Sequence, residues 1–193
     1  MRGILIFAWL LIPPIILGFH YGPGQKGVIL DQAAGILAAA ERHASAEEWA
    51  QAIEEYDRAL ELLPVDQVAR IRQVRLAKAR AQMFASQLPE ANRALEELLS
   101  EVTQDPKADP SLAAQTRGAL ANSQYYMTWL LRLEGTPREE WWPFIEGARQ
   151  NYRLLAEEGA PNDRERAKKD LDATLRLARL DLSELQALPL PSQ

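Results

Sequence analysis

EEWAQAIEEYDRALELLP, residues 47–64, is the stretch on which the fold turns. Trp49, Ala52, Ile53, Tyr56, Ala59, Leu60 and Leu63 recur at intervals of three and four, which a helix gathers into one continuous stripe. The remaining positions are mostly charged, so one face is suited to burial and the other to water. Sizes within the stripe are mixed: Ala52 and Ala59 let another helix come close, Trp49 and Tyr56 fill the space beside them, and Pro64 ends the run.

Outward from this segment the chain is rich in Ala, Leu, Glu, Arg and Gln, with few β-branched residues and no sustained alternation of period two. The spacing predicts seven helices, over 29–44, 46–63, 66–86, 89–103, 110–134, 137–158 and 163–186, in an all-α fold of antiparallel hairpins. Ser45 with Glu48, Thr136 with Glu139 and Asn162 with Glu165 have capping-box spacing; Pro64, Gly135 and Gly159 mark stops. The helical domain is expected at 29–186, after a Gly- and Pro-bearing linker at 22–28 and before an unstructured tail at 187–193.

The pattern of 47–64 resembles the second helix of a tetratricopeptide repeat, in which an aromatic, Ala, an aromatic, Ala and a closing Pro appear at this spacing. Ala91, Leu95 and Leu98, then Ala148, Tyr152 and Leu155, repeat the small and large positions in two later hairpins. ANSQYY at 121–126 is similar to the family's small-residue and tyrosine segment. The intervals Ala52 to Ala91 and Ala91 to Ala148 are 39 and 57 residues against about 34 in the family, and His43 and Arg75 stand where it carries aromatics.

The resemblance covers about 35–160 and implies a right-handed solenoid of three irregular hairpins closed by a capping helix, 163–186. It further implies that the first helix of each hairpin lines a concave groove for a protein partner. Arg72 and Arg75 would there grip an acidic or C-terminal peptide. The alternative is that they form a solvated face pairing with the acidic helix before them, which carries Glu47, Glu48, Glu54, Glu55, Asp57 and Glu61. Adjacent Trp141 and Trp142 lie about 100° apart on a helix, so one of them must face a neighbouring helix, a partner or the membrane surface.

Ahead of the domain, Ile4–Phe19 is an uncharged and mostly apolar run interrupted by Pro13-Pro14. It reads as a transmembrane signal-anchor over 1–21, because Gly22-Pro23-Gly24 is a poor cleavage site; a cleaved signal peptide and a secreted or periplasmic product is the alternative. Arg2 before the run puts the N-terminus in the cytoplasm and the helical domain outside it.

Lys and Arg total 22 against 27 Asp and Glu, a charge of −5 that carries no nucleic-acid footprint. There is no Cys and there are only two His, so thiolate chemistry and His-rich metal cages are excluded by arithmetic, and no nucleotide, metalloprotease or hydrolase motif occurs. The expected role is non-catalytic, without cofactor or metal: a membrane-anchored scaffold or adaptor in the cell envelope. A structural subunit of a larger membrane complex is the alternative; an envelope hydrolase, needing two convergent carboxylates, is a third reading.

Overall fold

A computed structural model of the chain describes residues 23–159, 161–181 and 184–185. The expected anchor at 1–21 and tail at 187–193 lie outside them. Among the described residues there are seven α-helices and no strand, and no helix is long and apolar enough to cross a membrane. The helices are α1 (Pro23–Ser45), α2 (Trp49–Leu62), α3 (Val68–Phe84), α4 (Leu88–Gln104), α5 (Pro110–Leu133), α6 (Arg138–Glu158) and α7 (Pro161–Arg179). They fall into two compact units divided between Gln67 and Val68.

In the first unit α1 packs on α2. Ala33, Leu37 and Ala40 are buried on α1, and Ala52, Ile53, Tyr56 and Ala59 on α2, with Trp49 and Leu60 half-buried at the edges of the stripe. The four alanines are completely covered, as a close helix pair requires. Leu63 turns to extended backbone before Pro64, which disfavours the helical conformation of its predecessor. The linker expected at 22–28 is corrected from residue 23 onward: α1 already begins at Pro23, and proline is tolerated in a first helical turn because its missing N–H has no partner there.

In the second unit each helix packs on the next, and α3 also touches α5. One core joins Leu76 and Ala79 of α3, Leu95, Leu98 and Val102 of α4, and Leu112, Ala119 and Leu120 of α5. A second joins Ala121 and Tyr125 of α5, Trp141, Ile145, Ala148 and Tyr152 of α6, and Leu177 and Leu185. Helix α5 therefore serves both cores from successive stretches of its length.

The three hairpins, α1–α2, α3–α4 and α5–α6, turn by one device. Glu47, Ser86 and Gly135 each take a left-handed backbone, with φ of 60°, 61° and 74°. The following amide in each case reaches back five residues: Glu48 to His43, Gln87 to Gln82 and Thr136 to Leu131, at 2.9–3.0 Å. This is a Schellman ending. It displaces the capping boxes expected at Ser45 and Thr136, because these short turns belong to the end of the preceding helix. The hydroxyls donate backward instead, Ser45 to the Glu41 carbonyl and Thr136 to that of Leu131. Asp109 does cap α5, accepting from the Ser111 amide at 2.9 Å with Pro110 beginning the helix. The Asn162 side chain lies outside the described residues.

The seventh helix stops at Arg179, short of the expected 186, and the Arg132 guanidinium donates to the carbonyls of Leu177 and Leu180 at its end. Arg164, Arg166, Lys168, Lys169, Asp172, Arg176 and Arg179 are all exposed, as a capping helix would have them. The buried face is rotated from the stripe that Ala167, Leu171, Leu175 and Ala178 form by spacing along the sequence: Ala167, Asp170, Thr174 and Leu177 are inside. Thr174 is tolerated there because its hydroxyl donates to the Asp170 carbonyl at 2.7 Å.

Candidate functional site

The residues singled out from the sequence do not come together. Arg72 is only 8% exposed; its Nε donates to Glu101 at 2.8 Å and its NH1 to Asp105 at 2.7 Å. Arg75 donates to the other oxygen of Glu101 at 2.5 Å. Both arginines are thus committed to α4 and to the Asp105 that ends it. Their acids are those of α4 and its end, and these side chains are held by packing within the second unit. These hydrogen bonds from Arg72 hold the Glu101 and Asp105 carboxyls below their ordinary range.

Trp141 is core, beneath the Arg132 guanidinium at 4.9 Å. Trp142 is half-buried against the same core, with Arg138 over its ring at 4.0 Å. In 47–64, Ala52, Ile53, Tyr56, Ala59 and Leu63 are buried and Trp49 and Leu60 half-buried.

What the second unit does build is a groove of about 660 Å³. Helix α5 forms its floor with Ser111, Ala114, Gln115 and Gly118, where small residues one turn apart leave a trough. A Cβ on Gly118 would meet only Leu155 Cδ1, at 3.8 Å. One wall is the end of α3, with Arg80, Met83 and Phe84, the last 42% exposed. The other is the end of α6 and the start of α7, contributing Leu155, Glu158, Asp163, Arg166 and Asp170.

Deeper in, the Tyr152 hydroxyl donates to Asn122 Oδ1, and Tyr126 and the buried Asp170 stand beside them. Burial, with Asp170 and the neighbouring tyrosines adding repulsion, pushes the Tyr152 phenol far up. Burial first, then Tyr126 and Asp170, pushes Tyr125 up to about 12. Both phenols therefore keep their protons near neutrality; that of Tyr152 donates to Asn122, and that of Tyr125 is buried without a hydrogen-bond partner among the described residues.

Arg80 and Arg166 have no ion pair among the described residues, so each presents its charge to whatever enters. The floor thus mixes small and polar residues, and each wall sets apolar side chains, Met83 and Phe84 or Leu155, beside charged ones. Among the described residues no three His, Asp or Glu side chains converge as a metal site.

Sequence reasoning missed Arg80, Arg166 and Asp170, while Asn122 lay within the quoted ANSQYY segment. Tyr126 was within the quoted ANSQYY segment, and the spacing of Ala114 and Gly118 was the one further local signal. No protein-family model, curated protein or solved structure matches the chain.

Proposed function

We propose that the chain is a non-catalytic, membrane-anchored adaptor of tetratricopeptide-like helical repeats, and that it holds a segment of a protein partner in the groove of its second unit. What supports this reading is which helices line that groove. Most of the lining comes from α3 and α5, the first helices of the second and third hairpins, and from α7, the next helix in the same alternating position, and the end of α6 completes one wall. First helices are the surface which such repeats offer to peptides. The arginines facing an acidic or C-terminal peptide are then Arg80 and Arg166, not Arg72 and Arg75. The anchor is the apolar run Ile4–Phe19.

A photoreactive amino acid at Ala114 in the full chain, activated in intact membranes, tests it. A discrete crosslinked partner is expected, lost on Arg80→Glu with Arg166→Glu while the helical circular dichroism is kept. Crosslinking that is absent, or indifferent to that double reversal, removes the groove from the function.

A further inference from the structure

Helices α6 and α7 enclose a second depression, of about 310 Å³, sharing no residue with the groove. Arg138, Arg149 and Arg179 line it together with Trp142, Leu175 and a single acid, Glu146. Glu146 pairs with Arg149 at 2.7 Å, which leaves Arg138 and Arg179, neither in an ion pair among the described residues. Arg138 spreads over the Trp142 ring. Leu175 is 37% exposed beside them, a consequence of the rotated buried face of α7. Glu139 and Glu140 head the same helix, but about 100° and 200° round from Arg138.

Free guanidinium groups take phosphate oxygens, an indole settles at the headgroup level, and an exposed aliphatic reaches the acyl boundary. An acidic protein surface would use the arginines as well, but the indole and the aliphatic side chain beside them match the layered chemistry of headgroup and acyl boundary. We propose that this α6–α7 face docks on the anionic phospholipid headgroups of the membrane. The anchor reading of Ile4–Phe19 matters here only for bringing the face near a bilayer.

The chain has no cysteine, so Leu175→Cys in the full chain creates a single site for an environment-sensitive fluorophore. The labelled chain is mixed with vesicles of phosphatidylcholine, or of phosphatidylcholine and phosphatidylglycerol in equal parts, both carrying a headgroup nitroxide quencher. Quenching is expected with phosphatidylglycerol, weakening as salt rises, and not with phosphatidylcholine alone. Each arginine favours an anionic surface on the order of fivefold. Arg138→Glu with Arg179→Glu should therefore return quenching to the phosphatidylcholine level, while the equal charge change Lys107→Glu with Lys169→Glu should leave it.

Flotation reports the anchor separately. A chain that floats with both vesicle types while quenching depends on phosphatidylglycerol supports both readings; one that floats only with phosphatidylglycerol supports the face without the anchor. Failure to float with either, equal quenching in the two vesicles, or indifference to salt and to the arginine reversal overturns the proposal. So does an equal response of the label to inorganic phosphate without vesicles, which assigns the depression to a small soluble anion.

Discussion

Arg72 draws two acids from 29 and 33 residues further along onto one guanidinium, so its removal acts on the fold and not on a binding surface. Arg72→Gln is expected to destabilise the chain by about 1–2 kcal/mol, a charged hydrogen-bond loss discounted because both acids are partly exposed. Glu101 and Asp105 have folded pKa values below their unfolded ones, so their contribution is complete above about pH 4.5, the ordinary carboxylate range, and is lost as pH falls through the folded values. The gap between wild-type and variant melting temperatures should accordingly close on acidification below that pH; a gap that stays constant would separate Arg72 from these acids. Two glycines carry a second contrast. Gly118→Ala adds a methyl group in ordinary contact and removes a flexible residue from mid-helix, for a gain of about 0.5–1 kcal/mol. Gly147→Ala drives its Cβ to 2.7 Å from the buried Gln124 amide, which Asn151 also binds, and should cost about 1–3 kcal/mol despite the same propensity gain. Denaturant melts of the two variants, with Gly147→Ala repeated on Gln124→Ala, check this; the second background should relieve most of the loss.

The hairpin turns were legible in position but not in chemistry. Ser45 and Thr136 have the spacing of capping residues, yet the connections are so short that the Schellman ending of one helix occupies the amides that a box would use. Gly135 is the natural residue for such a turn, whereas Glu47 and Ser86 hold the same left-handed backbone at a cost that glycine avoids. Glu47→Gly and Ser86→Gly should each raise stability by about 0.5–1 kcal/mol, and Gly135→Ala should lower it by about as much. Thermal unfolding of the three variants checks the series; a loss in either of the first two would mean that the replaced side chain does more than turn the chain. Helix α3 was the least readable element, because it buries Val74 and Ala81 on one side and Leu76 and Ala79 on the other, with an arginine among its buried residues. Such a helix shows no one-sided stripe. In α7, two leucine-bearing faces compete in the sequence, and the one holding Asp170 and Thr174 is the one buried. Hydrophobicity alone ranks those faces in the wrong order.

The groove belongs to the second unit as a whole, since no helix supplies more than one wall or the floor. Gly118→Trp projects a large side chain from that floor past Leu155 into the groove, so it should abolish partner crosslinking while the helical circular dichroism is kept. Partner recovery unchanged by this variant would show that the groove is not where the partner sits. The tight stripe of 47–64, the seven helices and their pairing into hairpins were readable directly, because periodicity, small residues and turn-forming positions are properties of neighbours along the chain. Which arginines are free to meet a ligand was not. Arg72, Arg75 and Arg80 stand within three turns of one another on α3 and look alike in sequence. Folding gives the first two their acids from α4 and its end, and leaves Arg80 at the lip of a cavity formed with α5, α6 and α7. A charge is neutralised or presented by groups that only the packed chain brings within a few ångströms, so that choice was made by tertiary structure alone.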